Sequence, residues 1–449
     1  MLTDMIFHAG VVGAGGAGFP THIKLNAKAE CYIVNAVECE PLIETDKYLC
    51  RMFSDEIIAA MQHVGEQLEA KRLVIAIKGK HVREIEALER SIHASAAAVE
   101  LFLMDSFYPS GDEQVIVGQV CGRSVPERGI PLSVGAVVNN VGTMLGIYDA
   151  LCGVPVTGKY LSVTGEVEQP VMMKVPLGTP IIECIGAANP ALEQYDVVIG
   201  GPMMGKLYDD PKVIAEQNVV KTTGSIIVLP KGHLLSVRSE MPLRRIVRQA
   251  QSVCMQCRFC TDQCPRYRLG HRIRPHLMMR AIFREPFIED AAEYERLYGD
   301  AANCSECGLC ELYSCPMGLS PRKVNIFLKG CLREKGIEVP RNSSPDAREA
   351  NLAGRAATDR LTARLRLSEY ASRHAGDGCL ELMPSLVKLP FSQHVGKPAI
   401  PVKKEGDPIE VGELLAAAQE GALSANIHAS IRGVIESIDE KHATIRRKG

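Results

Sequence analysis

The sequence predicts a multidomain protein of mixed α/β and α+β class, and three observations carry that prediction. The chain has 449 residues, long for one core and suited to about three domains. Its character changes along its length, from alternating strands and helices, through short Gly- and Pro-broken strands, to a helical stretch and then back to β. Half of its 16 cysteines lie in two matching runs inside the helical stretch. Over residues 1–153, β-rich runs at 31–37, 73–77, 99–103 and 135–138 alternate with helical patterns at 54–70 and 82–95, as in an α/β domain. Residues 154–235 read as a small mixed β domain with strands at 160–164, 180–185, 197–199 and 225–228. Residues 240–335 are helical around the cysteine runs. Residues 336–384 are polar and Arg-rich, with Asn-Ser-Ser-Pro at 342–345, and read as a linker with one exposed helix. Residues 385–449 return to β as two similar strand–turn halves, 397–416 and 423–447.

The cysteine runs are Cys254, Cys257, Cys260 and Cys264 before Pro265, and Cys304, Cys307, Cys310 and Cys315 before Pro316. Each spacing lets three thiolates from one tight loop grip three corners of a [4Fe–4S] cube, while the Cys-Pro cysteine reaches the other cluster. One cluster is therefore assigned to Cys254, Cys257, Cys260 and Cys315, and the second to Cys304, Cys307, Cys310 and Cys264. Zinc is the rival, since Cys-x2-Cys pairs also bind it tetrahedrally. A zinc site rarely needs a third cysteine at the same spacing followed by Cys-Pro, twice over. The remaining cysteines (31, 39, 50, 121, 152, 184, 331 and 379) read as small buried or surface residues. Between the runs, Arg266, Arg268, Arg272, Arg274, Arg280 and Arg284 with His271 and His276 form a basic stretch. It reads as a cluster-tuning or docking surface, or as a solvated helix face with some hydrogen bonds to the clusters.

Lys+Arg number 51 against 53 Asp+Glu, so total charge does not argue for nucleic acid. Thiolate ligands need a reducing compartment. Residues 1–24 lack a charged segment followed by an apolar one, and no apolar run approaches the ~18 residues of a membrane span. The expectation is a soluble cytoplasmic protein, or one enclosed in a cytoplasmic body, without membrane insertion.

Gly13, Gly15, Gly16 and Gly18 fall within six residues. Such a loop lets backbone N–H groups close on an anion, a phosphate above all, with help from a following helix start. Gly13-x-Gly15-x-x-Gly18 also satisfies the dinucleotide-binding pattern, with Glu38 about 20 residues on. Only a dozen residues precede the loop, however, and Phe19-Pro20 interrupts entry into a long helix.

Four motifs in order, GAGGAGFPTHIK (13–24), NAVECEP (35–41), YPSGDEQ (108–114) and VNNVGT (138–143), resemble those of one flavoprotein family. It contains the FMN/NADH-binding subunit of respiratory complex I and the C subunit of the Rnf ferredoxin:NAD oxidoreductase. The resemblance implies FMN, with NADH stacking on it as substrate. It carries Gly13, Gly15, Gly16, Gly18 and Lys24 to the flavin phosphate and ring surroundings, together with Asn35, Glu38 and Glu40, Gly111, Asp112 and Glu113, and Asn139, Asn140 and Thr143. Such chemistry is sensible for these residue types: lysine neutralises phosphate, amides bind the flavin edge and carboxylates hold ribose hydroxyls.

Over its whole length the chain resembles the cobalamin reductases of bacterial propanediol-utilisation microcompartments. That resemblance implies an FMN/NADH-binding α/β domain (1–153), a β-grasp domain of the soluble-ligand-binding type (154–235), a two-cluster ferredoxin-like domain (240–335) and a C-terminal barrel-sandwich, biotinyl/lipoyl-like domain (385–449). In the Rnf proteins the lipoyl-like module usually precedes the flavin domain, and the complex I proteins hold one cluster in this chain. No lysine marks the C-terminal hairpin, which reads Asn426-Ile427-His428-Ala429-Ser430, so swinging-arm chemistry is not implied; His428 lacks the D-x-H-x-x-G context of base-off corrinoid binders. The implied activity runs from NADH through FMN and two [4Fe–4S] clusters to cob(III)- and cob(II)alamin, and supplies cob(I)alamin for adenosylation. Implied partners are the corrinoid, a corrinoid adenosyltransferase and microcompartment shell proteins, and no side chain acts as general acid or base. The alternatives are an Rnf-type component of a membrane complex and a non-catalytic electron relay of a microcompartment.

Overall fold

Strands β1 (Cys31–Ala36), β2 (Arg72–Lys78), β3 (Val99–Met104) and β5 (Ala136–Asn140) form a parallel sheet in the order β3-β2-β1-β5 in the computed structural model, which describes residues 1–348 and 355–448. β1 is buried along nearly its whole length, which is why it reads as a continuous apolar run rather than an alternating one. Helix Ser54–Leu68 places Ile57, Ile58, Met61, Val64 and Leu68 on its buried side, the one-face spacing of an amphipathic helix. The chain steps outward from β1 through β2 to β3 and then returns to the far side of β1 as β5. The strand order therefore reverses between β1 and β5, and ligands of open α/β sheets bind outside the carboxyl ends of the strands at such a switch point.

The second unit is a six-stranded mixed sheet built on β6 (Gly158–Gly165), β7 (Val171–Pro176), β8 (Tyr195–Ile199), β9 (Lys206–Tyr208) and β10 (Ser225–Pro230). Its order is β12-β7-β6-β10-β8-β9, with β12 (Cys379–Glu381) joining the edge from far along the chain. Residues 180–185, expected as a strand, belong instead to helix Ile181–Ala187. The short apolar run hid a helical period, because Ile181, Cys184 and Ile185 face the core three and four residues apart. β7 was not anticipated.

Helices Leu243–Val253, Pro275–Ala281, Ala291–Tyr298 and Pro321–Glu334 frame the cysteine loops around Ile246, Met278, Tyr294, Tyr298, Val324 and Leu328. In the stretch expected as a linker with an exposed helix, residues 349–354 lie outside the described residues. Beyond them β11 (Ala356–Ala357) pairs with β4 (Phe107–Tyr108), and helix Thr358–Arg364 exposes Asp359, Arg360, Ala363 and Arg364 while burying Leu361 in a cluster that includes Tyr108 and Leu309.

The C-terminal unit comprises two small sheets. β13 (Leu386–Pro390), β19 (His442–Arg447), β18 (Gly433–Ile438) and β15 (Pro408–Ile409) form one; β14 (Ile400–Pro401), β16 (Leu414–Ala417) and β17 (Ile427–His428) form the other. They enclose Val387, Leu389, Phe391, Leu415, Ile427, Ile435 and Ile445. Among the described residues no helix is long and apolar enough to cross a membrane.

Lys221 joins three of these units. Its buried ammonium donates to the carbonyls of Gly10 and Asn426, each at 2.6 Å, while its backbone N–H donates to Gln393 Oε1 at 3.1 Å. Burial pulls its pKa down to about 7. Lys221→Met should leave both carbonyls buried without a donor, a loss of about 2–4 kcal/mol, read as a lower thermal midpoint. Since the unfolded lysine titrates near ~10.4, the unfolded chain binds the extra proton between pH 7 and 10. Wild-type stability should therefore rise over that window, and the variant should lack this gain.

Candidate functional site

The glycine loop sits at the switch point because helix Leu2–Ala9 ends at left-handed Gly10 and the chain turns back at once, Val12 bridging to Pro20. Gly13 N–H donates to the Phe19 carbonyl at 2.9 Å, and Ala14 N–H to Thr143 Oγ1 at 3.0 Å. Residues 15–17 are exposed. A Cβ on Gly15 would lie 2.8 Å from the Asn140 side chain, and one on Gly18 2.9 Å from Thr222 and 3.1 Å from the backbone of Gln393 and His394. Only glycine fits these two positions, and Gly18, at φ 71°, is also left-handed. Asn140 caps helix Val141–Leu151 by accepting from Gly142 N–H at 2.8 Å. That helix start, with its positive end, therefore abuts the loop.

The second and third motifs meet at the end of β1. Asn35 Nδ2 donates to the Gly111 carbonyl at 3.0 Å, and a Cβ on Gly111 would stand 3.0 Å from Cys39 Sγ. Lys24 pairs with Glu113 at 2.8 Å at the rim. Asn139 is buried with its Oδ1 lacking a partner. Exposed loop amides, a glycine cradle, a helix start and an orphaned amide oxygen together fit a phosphate-bearing flavin.

Charge here is concentrated and buried. Glu38 accepts from Asp46 N–H at 2.7 Å and lies 3.5 Å from Lys47; burial raises its pKa to about 8. Asp46 accepts from Asn140 Nδ2 at 2.8 Å and is raised by burial to about 6. Lys78 donates to the Glu38 carbonyl at 3.1 Å, and burial lowers it to about 8. The sequence reading missed Asp46, Lys47 and Lys78. The first two follow the second motif closely, and Lys78 ends β2, so position along the strands was the one available signal.

Two expected site residues point elsewhere. Glu40 leaves the switch point and accepts from Met203 N–H at 2.7 Å, filling the space above Gly201 in the second unit; burial raises its pKa to about 7. Asp112 caps helix Glu113–Cys121 and pairs bidentately with Arg266 at 2.7 and 2.9 Å. Arg266 is thus engaged with the flavin-side motif. Arg272 and Arg274 share Asp300 at 3.1 and 2.8 Å, and Arg284 pairs with Glu293.

The eight cysteines divide between two cavities. Cys254, Cys257, Cys260 and Cys315 line one, and Cys264, Cys304, Cys307 and Cys310 line the other. Each fourth thiol comes from the other run. The two sets are those that the cysteine spacing assigns to two clusters. Burial pushes Cys260 and Cys264 up to about 12 and Cys307 to about 11. Cys310 is raised well above an ordinary thiol by burial and by neighbouring thiols, Cys260 of the other cavity among them. Metal binding here must therefore displace protons. Tyr108 Oη donates to the Cys307 carbonyl at 2.6 Å, so the third motif touches the second cavity's loop directly.

Residues 6–149 match the Nuo51 FMN-binding domain, 253–320 a 4Fe-4S dicluster domain, and 380–448 the RnfC barrel sandwich hybrid domain. The chain is 37% identical to the cobalamin reductase PduS of Citrobacter freundii over 99% of its length and 96% of that protein. It is 38% identical to the cobalamin reductase PduS of Salmonella typhimurium, with the same coverage. The C component of the Na(+)-translocating ferredoxin:NAD(+) oxidoreductase complex of Acetobacterium woodii is 30% identical over 59% of this chain and 57% of that protein.

The crossed cavities give a test by iron content. Cys264→Ala and Cys304→Ala should each leave about four of about eight irons per chain, and so should the double variant, because both thiols serve one cluster. Cys264→Ala with Cys254→Ala should lose nearly all iron. The opposite pattern in the two doubles would refute the crossing.

Proposed function

The chain belongs to the cobalamin reductase PduS family, and from that premise we propose that it is an NADH-dependent corrinoid reductase. It is a flavin and iron–sulfur oxidoreductase, with FMN and [4Fe–4S] clusters as cofactors. The proposed path runs from NADH at the β1/β5 switch point, through the two cysteine cavities, to cob(III)- and then cob(II)alamin. The observation that carries it is continuity: the third motif supplies both Tyr108 to Cys307 and Asp112 to Arg266, two residues past Cys264. A flavin held at the switch point would thus share one motif with a cluster-holding loop.

Bound FMN supplies the conversion of a two-electron hydride donor into single-electron transfers, which the clusters carry. The chain's own residues bind and space. Amides of the 13–18 loop and the start of helix Val141–Leu151 take the phosphate, with Lys24 adding charge. Asn35, Gly111, Asn139, Asn140 and Thr143 shape the flavin pocket, and Glu38 stands near the ribose side. Asp112 fixes the flavin-side helix to the cluster loop, and Glu113 holds Lys24. Glu40 acts at a distance, tying the pocket to the 200–205 turn. The eight cysteines hold the clusters in the crossed sets described above.

Reduction to cob(I)alamin is thermodynamically hard, so a corrinoid adenosyltransferase that alters cobalt coordination is the proposed partner, within a propanediol-utilisation microcompartment whose shell proteins would enclose both. Adding NADH to protein purified without oxygen should bleach the flavin, produce reduced four-iron signals by EPR and convert cob(III)alamin to cob(II)alamin. Flavin and cluster reduction with an untouched corrinoid would refute the proposal and direct attention to an Rnf-type acceptor. Adding the adenosyltransferase should speed cob(II)alamin reduction; an unchanged rate would remove that partner. Gly15→Val, whose side chain would collide with Asn140, should lower FMN content several-fold, measured by flavin absorbance per chain.

A further inference from the structure

The two cluster cavities are not equivalent. The cavity of Cys264, Cys304, Cys307 and Cys310 is closed in by other units. Tyr108 reaches the Cys307 carbonyl, Arg322 donates to the Met203 carbonyl at 2.9 Å, and a Cβ on Gly308 would stand 3.2 Å from that same carbonyl. Lys329 seals its outer edge, donating to the Cys304 carbonyl at 3.2 Å and pairing with Glu306 at 2.8 Å. The cavity of Cys254, Cys257, Cys260 and Cys315 is met from another unit by Arg364, which donates to the Cys315 carbonyl at 3.0 Å, but it reaches the surface at Cys257, whereas no cysteine of the other set is exposed. Met255 (62% exposed) and Met317 (42%) line the same cavity, and Phe259 (50%) follows Cys257 by two residues in the loop.

We propose that this outer cluster is the exit of the electron path and that its exposed rim docks the corrinoid itself; this rests on the functional reading above. A corrinoid is a broad macrocycle with an apolar plane, neutral amides at its edge and one phosphodiester. The rim offers two flexible thioethers, which conform to irregular apolar surfaces, one aromatic ring, and one guanidinium, that of Arg258. Three exposed large apolar side chains around a cluster mouth mark a contact surface rather than scattered exposure. Arg258 already shares Asp262 at 3.3 Å, so the rim carries little net charge. A strongly acidic protein would find little there to pair with, whereas one phosphodiester needs one donor fork. The step forms no bond between protein and corrinoid. Each electron leaving the outer cluster converts aquacob(III)alamin to cob(II)alamin with release of water. One NADH therefore yields NAD+, one proton, two cob(II)alamins and two waters.

The test uses the oxygen-free holoprotein without NADH, binding aquacob(III)alamin in equilibrium dialysis. Met255→Glu with Phe259→Glu should weaken binding about tenfold or more, and Met317→Gln, which adds no charge, should weaken it in the same direction. Cluster signals after NADH should match wild type, and Val411→Glu, an equally exposed apolar position on the C-terminal unit, should bind as wild type. Unchanged affinity in both rim variants overturns the docking assignment. So does slower reduction of an acidic carrier protein with corrinoid binding intact. Wild-type protein that reduces its clusters with NADH yet neither binds nor reduces corrinoid overturns the functional reading instead.

Discussion

Eight thiols gathered into two neighbouring cavities are the arrangement that the rest of the chain has to support. Burial holds several of them protonated: Cys260 and Cys264 stand near 12 and Cys307 near 11. Ligation requires thiolates, so the energy of metal binding is spent partly in removing protons and returns as order in the loops. Because each cavity borrows its fourth thiol from the other run, neither loop completes its site alone. The framing helices meet that need with a continuous core from Ile246 to Leu332, and Asp300 gathers Arg272 and Arg274 between the runs. The basic stretch is thus largely paired with carboxylates, with Arg266 turned toward the flavin side.

A second dependence runs through the C-terminal unit. The hairpin that lacks a lysine at its tip does something else with that tip. Asn426 offers its carbonyl to Lys221, accepts from Ala418 N–H through Oδ1 at 2.9 Å, and donates to the Phe7 carbonyl at 3.3 Å. His428 is buried, and burial, with Lys221 nearby, lowers its pKa to about 4. The hairpin is therefore packed against the N-terminal helix rather than held out to solvent. Gln393 and His394 stand against Gly18, so the last unit of the chain helps set the conformation of the loop near its start. A lipoyl-like fold here acts as a buttress for an anion-binding loop.

Much of this was legible in the sequence because the chemistry imposes spacing. Three thiols from one loop on a cube leave few choices of interval, and the two cavities gather the eight cysteines that the intervals picked out. The inner strands of the parallel sheet were legible for a different reason: β1, β2 and β5 are largely buried on both faces, which leaves unbroken apolar runs. What was hidden is tertiary. Nothing in the 180–185 run distinguishes strand from helix until the sheet beneath selects the face of Ile181, Cys184 and Ile185. Glu40 sits beside Glu38 in one motif, yet left-handed backbone at Glu38 (φ 39°) separates the two carboxylates. One remains at the switch point and the other crosses to the 200–205 turn. Likewise, nothing local to Thr358–Arg364 reveals that Leu361 will be covered, because its cover comes from Tyr108 and Leu309, distant in sequence.

Asp112 shows how the two halves of the site are joined at small energetic cost. As a helix cap it accepts from Gln114 and Val115 N–H at 3.0 and 3.2 Å, which sets a carboxylate at the positive end of the helix. The same carboxylate then receives the Arg266 fork in a setting where both side chains are mostly buried. A buried ion pair often fails to offset its desolvation, but here the helix end compensates the carboxylate before the arginine arrives. Arg266 gains a partner, and its charge stays beside Cys264 and Cys307. A positive charge held next to a cluster favours the reduced state, so a single capping residue can both anchor the flavin-side helix and make the adjoining cluster the easier one to reduce. Such a bias would favour electron flow from a bound flavin toward the inner cavity, while the outer cavity is met from another unit by Arg364, which donates to the Cys315 carbonyl at 3.0 Å.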